Sequence, residues 1–302
     1  MSDPLRGLAA FAAALVLAPL LPALVNRVKA IVAGRRGPPL LQGYRDLAKL
    51  LSRGAVTSRT TTWVFRAGPA LALAASAAGL LLVPWSGSSV AGFEGDLVLF
   101  ALLFAAARFA TMLAALDTGS AFEGMGASRE AWFGALAEPA LLVALAALAR
   151  AGGGLTLERA LVNARAPGPA AILAAAALFV VFLAENARVP VDDPATHLEL
   201  TMIHEVMVLD HTGPDLALIE YGAALKLWAF AGLVVGALVP RTGRWLPDLA
   251  IALAGLAVVA VVTGGVESTM ARLRLRRVPQ LLIAATALAA LSIAIGLAGG
   301  AA

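Results

Sequence analysis

Between Ala184 and Lys226 the chain reads AENARVPVDDPATHLELTMIHEVMVLDHTGPDLALIEYGAALK. This stretch holds all three histidines and eight of the nineteen carboxylates: Glu185, Asp192, Asp193, Glu199, Glu205, Asp210, Asp215 and Glu220. Carboxylates and imidazoles in one segment can take up and release protons, or ligate a metal. His197, His204 and His211 recur every seven residues, and in a helix that spacing puts them close to one face. Two turns of helix separate neighbours by about 10 Å, too far for a shared ion. The HExxH signature of a zinc peptidase is absent, because His204-Glu205 is followed by Val206, Met207 and Val208. Two roles stay open for the histidines: structural hydrogen bonding beside the carboxylates, and proton handling.

More charges stand inside or at the ends of apolar runs. Arg108 is central in FALLFAAARFATMLAAL, Glu138 lies about two turns into the run from 131, and Glu185 ends the run from 169. Glu220 and Lys226 share the next run, and Glu267 closes the one after that. Charges at such depth are costly unless paired or hydrated, and they face a bundle interior or a water-filled cavity. Carboxylates on neighbouring spans can relay protons, because burial and mutual repulsion bring their titration toward neutral pH. The competing readings are snorkelling side chains and structural ion pairs.

The elements that must carry these groups are membrane helices. The chain has 302 residues, 60% hydrophobic and 14% charged, with mean hydropathy +0.86. Soluble domains are about 45–50% apolar and 25% charged. The expected fold is all-α: a single integral membrane domain over 1–302, with about eight transmembrane helices and one cytoplasmic amphipathic helix. Apolar segments run from Leu8 to about Val25, then over 68–83, 96–116, 131–150, 169–186, 216–239, 246–264 and 280–298, each near the length that crosses a bilayer. The first, with Pro19 and Pro22, reads as a retained span and not a cleaved signal.

Residues 26–66 hold nine basic residues and one acid, Asp46, which places this loop in the cytoplasm. With eight spans both termini are then outside, and 117–130, 187–215 and 265–279 are inside. Arg272, Arg274, Arg276 and Arg277 agree with that orientation; Arg159, Arg165, Arg241 and Arg244 in the outer loops do not. Within the first loop a helix is expected over about Leu40–Ser52, with Leu40, Tyr44, Leu47, Leu50 and Leu51 at helical spacing. It either lies at the membrane interface or docks a soluble partner. In the acidic segment a second helix is expected, starting at Asp193-Pro194 or at Thr196 with Glu199, and ending at Gly213-Pro214.

There are no cysteines, which excludes disulfides, thiolate metal sites and a bound iron–sulfur cluster. Gly119, Gly124 and Gly126 in LDTGSAFEGMGASRE lack the Lys-Ser/Thr of a P-loop, so that segment reads as a tight connection. No nucleic-acid partner is expected.

Three stretches resemble a known family. GRRGPPLLQGYRDLAKLL is similar to the first cytoplasmic loop of the respiratory complex I membrane subunit adjoining the quinone site (subunit 1 family). It is closer to the matching subunit of membrane-bound nickel–iron hydrogenases, the formate hydrogenlyase subunit 4 type. ALDTGSAFEGMGASREAWFGALAEPALL and the 184–226 stretch match that hydrogenase branch. The resemblance implies a subunit that anchors a hydrophilic redox arm and contributes to a proton or sodium path. Glu138, Glu185 and Glu220 match the family's acids by position; with Arg108 and Lys226 they form the expected path. Asp192, Asp193, His197, Glu199, His204 and Glu205 are the loop groups above it, and Arg35, Arg36, Tyr44, Arg45, Asp46 and Lys49 the expected docking residues. No cofactor is expected on this chain. A nickel–iron centre and iron–sulfur clusters are expected in partner subunits: hydrogenase-type large and small subunits, other iron–sulfur subunits and antiporter-like membrane subunits. Gly43 stands where the family usually has proline, and Glu123 where it has glycine. The alternatives are a quinone-reactive subunit of respiratory NADH dehydrogenase and a stand-alone secondary transporter. The latter would show inverted repeats and broken midplane helices, which the sequence does not display.

Overall fold

The computed structural model describes residues 4–162, 167–193 and 201–299. The described residues form helices and connecting loops, with no strand. In chain order the helices are α1 (Pro4–Leu17), α2 (Leu20–Val32), α3 (Gln42–Leu51), α4 (Trp63–Leu82), α5 (Asp96–Asp117) and α6 (Ala121–Gly152). Then come α7 (Leu157–Leu161), α8 (Pro169–Glu185), α9 (Pro214–Leu238), α10 (Trp245–Thr269) and α11 (Val278–Gly299). Six of them, α4, α5, α6, α9, α10 and α11, are long and apolar enough to cross a bilayer. The bent pair α1–α2 can count as a seventh span, and α8 is apolar but shorter, with 17 residues. The protein is an integral membrane protein.

Helix α9 is the innermost. It packs against α4, α8 and α10, and its residues from Leu227 to Ala237 are all buried. Phe230 on α9 meets Phe100 and Phe104 of α5 at ring separations of 5.5 and 5.0 Å. Gly79 of α4 admits the Phe104 ring against its backbone. These tilted contacts suit the ring quadrupoles and fix α4, α5 and α9 side by side.

The loops gather at two ends. At one, the Gly95 N–H donates to the Leu155 carbonyl (3.1 Å), Arg159 pairs with Glu94 (2.6 Å), and Arg241 donates to the Trp85 carbonyl (2.8 Å). At the other, Asp117 accepts from the Thr62 and Phe65 N–H groups at the start of α4, Val56 and Thr212 are joined, and Arg272 reaches Thr201. A carboxylate on those orphan donors satisfies them and suits the positive end of the helix.

Three expectations are corrected. The first segment is not one straight span: α1 and α2 meet at 47°. Pro19 has no N–H to give the Leu15 carbonyl. The hydroxyl of Tyr221 on α9 supplies that bond (2.8 Å), and the hydroxyl of Tyr44 on α3 bonds the next carbonyl, Val16. The connection expected over 117–130 is mostly helix, because α6 starts at Ala121 and carries Gly124 and Gly126 within it. Gly126 is where Val206 and Met207 pack onto α6. Finally, residues 201–213 do not form the expected helix; they hold only a short 3-10 turn, Glu205–Val208. The buried Asp192 carboxylate accepts the Ile203 and His204 N–H groups (3.1 and 3.0 Å), taking donors that a helix would use.

Candidate functional site

Arg108 is the centre of the site. It sits on α5 with its side chain almost wholly buried, facing α6 and α8. Its Nη2 lies 3.0 Å from Glu138 Oε1 and 3.2 Å from Glu185 Oε1, and its Nε 4.0 Å from Glu130 Oε1. The second oxygen of Glu185 is 2.8 Å from Lys226 Nζ on α9. Four side chains from four helices thus alternate in sign: Glu138, Arg108, Glu185, Lys226. Glu138 is 40% exposed and Glu185 only 3%, so the row runs from the surface of the bundle to its interior. A guanidinium has five donors in a fixed plane and does not give up its proton, so it can hold two carboxylates at once.

Beside this row is a cavity of about 520 Å³. Arg108, Glu185, Lys226, His204, Glu205 and Glu220 all line it, next to apolar positions from the α1–α2 bend and α3. Glu220 faces the cavity with no ion pair among the described contacts, and lies near Asp46 and Glu205.

The predicted residues therefore separate into groups. Glu138, Glu185, Arg108 and Lys226 are brought together, and Glu220 shares their cavity without touching them. Asp192 is buried and pins its own loop: besides Ile203 and His204 it accepts the Asp193 N–H (2.9 Å) and pairs with Arg272 (3.0 Å). His197 and Glu199 lie outside the described residues. The two described histidines share no face: His204 lines the cavity, whereas His211 is buried and stacked on Phe65, centroids 3.9 Å apart. Burial holds the His211 imidazole below its usual range, against a smaller opposing pull from Asp215 and Asp210. No cluster of His, Asp or Glu among the described residues is placed to hold a metal ion.

On α3 and the turn before it, Arg35, Arg36, Arg45 and Lys49 are exposed. Tyr44 is turned to the α1–α2 bend, where burial pushes its hydroxyl's titration upward, and Asp46 accepts from Gln42 (2.8 Å). Glu123 is buried and accepts the Asp210 N–H (3.2 Å). It ties α6 to the acidic loop and presents no surface charge.

Sequence reasoning missed Glu130, Gly134 and Arg188. Gly134 is one helical turn before Glu138, and the Arg108 guanidinium packs directly on its Cα. The spacing of four to Glu138 was the available signal. Arg188 lies in the turn after α8, three residues beyond Glu185.

The sequence profile of the NADH dehydrogenase family matches residues 6–297. Formate hydrogenlyase subunit 4 of Escherichia coli K12 is 33% identical over 279 residues, 88% of this chain and 89% of that protein. Hydrogenase-4 component C of the same organism is 32% identical over 272 residues, 85% of this chain and 84% of that protein. Among solved structures, a chain of the archaeal membrane-bound sulfane sulfur reductase, a respiratory membrane complex, superposes with a TM-score of 0.83 at 20% identity. That match covers 96% of this chain and 98% of the other.

Proposed function

This chain belongs to the NADH dehydrogenase family, and on that footing we propose that it is the anchoring and ion-coupling membrane subunit of a complex-I-like, hydrogenase-type redox complex. Its two curated relatives carry formate hydrogenlyase and hydrogenase names, which supports the hydrogenase branch. In this reading nickel–iron and iron–sulfur centres belong to large, small and other iron–sulfur subunits, while antiporter-like subunits and lipid surround the chain in a cytoplasmic membrane. The cationic side chains at Arg35, Arg36, Arg45 and Lys49 dock the hydrophilic arm. Counting α1–α2 and α8 as crossings gives eight spans with both termini outside; the sorting of loops to two ends supports that count.

The observation that carries the coupling role is the row Glu138–Arg108–Glu185–Lys226 at the cavity wall. Burying so many charges is poor value for stability alone, since apolar replacements of buried ion pairs are often neutral or better. Arg108 binds two carboxylates through one nitrogen, so neutralising either shifts its attraction to the other. A proton reaching Glu185 loosens Arg108 and Lys226 and strengthens the hold of Arg108 on Glu138. That moves positive charge across the bundle without moving a helix. Glu220, among Asp46 and Glu205, receives protons from the open part of the cavity.

The test is ion translocation per electron by the whole complex in vesicles. Glu138→Gln and Glu220→Gln keep size and hydrogen bonding but remove the titrating proton. Both variants should assemble, with the ratio at least halved and redox turnover retained. Parental ratios in both would make these acids structural and end the relay reading.

A further inference from the structure

Glu267 stands outside that row, and its side chain is fully buried. It lies in the last turn of α10, where the free carbonyls of the helix already carry partial negative charge. A carboxylate buried there is costly unless cations neutralise it. Two do, one on each oxygen: Lys29 Nζ at 2.8 Å from Oε2, and Arg188 Nη1 at 3.4 Å from Oε1. Lys29 comes from the end of α2, and Arg188 from the turn after α8. Both cations line the 520 Å³ cavity and Glu267 does not; it sits behind them.

The cavity wall thus carries four cations, Arg108, Lys226, Lys29 and Arg188. Glu185 engages the first two and Glu267 the second two. We propose that Glu267 is a positioning residue: by holding Lys29 and Arg188 from behind the wall, it withholds their charge from Glu185 and leaves that carboxylate able to exchange its proton. The inference rests on the reading of Glu185 as a relay acid.

Without Glu267, two uncompensated cations would face the cavity, and nearby positive charge favours the ionised carboxylate. The groups facing Glu185 are Arg108 from α5, with Glu130 and Glu138 of α6 beyond it, Lys226 from α9, and His204 from the acidic loop. Those facing Glu267 are Lys29 and Arg188.

Dicyclohexylcarbodiimide modifies only protonated carboxyls in apolar surroundings, so its rate at Glu185, read by peptide mass spectrometry of the purified complex, reports the protonated fraction. In Glu267→Gln that rate should fall about tenfold, the factor for one unit of titration shift. Glu267→Asp should keep the parental rate, whereas the triple variant Lys29→Gln/Arg188→Gln/Glu267→Gln removes two cations with one carboxylate, takes one net positive charge from the wall, and should react faster than the parent. An unchanged rate in Glu267→Gln, a triple variant no faster than the parent, or no modification of Glu185 in the parent would overturn the proposal. If Glu267→Gln fails to assemble, the triple variant decides. Assembly with labelling faster than the parent's supports the proposal, and a parental rate or a failure to assemble overturns it. The labelling needs no translocation, so parental ion ratios in the Glu138 and Glu220 variants would sink the relay and leave this result standing.

Discussion

The guanidinium of Arg108 fills the space that a side chain on Gly134 would need. α6 is bare at that point so that a cation on α5 can reach two carboxylates. Gly134→Ala should push Arg108 off Glu138 and Glu185, and breaking a buried pair costs about 3–5 kcal/mol. The gain in helix propensity returns only about 1 kcal/mol. Gly124→Ala on the same helix meets open space and should be neutral or mildly stabilising. Thermal melting of the two purified variants makes the comparison; equal midpoints would refute the packing argument.

The pH dependence of stability should carry a signature of His211. Burial keeps its folded-state titration low, so the folded protein holds it neutral. Below about pH 6.5 the unfolded chain takes up a proton that the folded chain refuses. Stability from this group is therefore full above that pH and is lost as pH falls through it. Between pH 7.5 and 5.5 the parent should lose more stability than His211→Gln, which does not titrate. Melting curves at the two pH values check this; identical losses would exclude His211 as a source.

Orientation can be read by single cysteines, since the parent has none. Ser52 and Ala91 are both exposed and belong to opposite ends of the bundle. Ser52→Cys should react with an impermeant maleimide only from the cytoplasmic side, and Ala91→Cys only from outside. The reverse pattern would invert the topology.

Arg35 and Arg36 are exposed beside α3. Reversing both to Glu should release the hydrophilic arm and leave the subunit in the membrane. Co-purification of the arm at parental yield would count against docking there.

Much of the helical plan was legible because each span is an apolar run of membrane length, and the charges inside those runs marked Arg108, Glu185 and Lys226. Partnership was not legible. Arg108 meets Glu185 across a sequence separation that no local pattern encodes, and Lys29 finds Glu267 from the far end of the chain. Residues 121–130 read as a loop because Gly124 and Gly126 suggest turns, whereas in a packed bundle Gly126 is an approach point for Val206 and Met207. The seven-residue histidine spacing suggested a helix face; Asp192 removes the helix by taking its donors, and the spacing loses its meaning.

The two tyrosines at the α1–α2 bend also set an order of assembly. In hydrocarbon a carbonyl without a donor costs several kcal/mol, so the Leu15 and Val16 carbonyls are tolerable in lipid only once both hydroxyls reach them. Synthesis delivers Tyr44 early and Tyr221 late, after most of the chain has left the ribosome. The N-terminal span is thus made first and completed late. Until α9 enters the membrane, the bend has to stay near water or in the care of the insertion machinery. A nascent chain truncated before Tyr221 would present an unsealed first span to quality control.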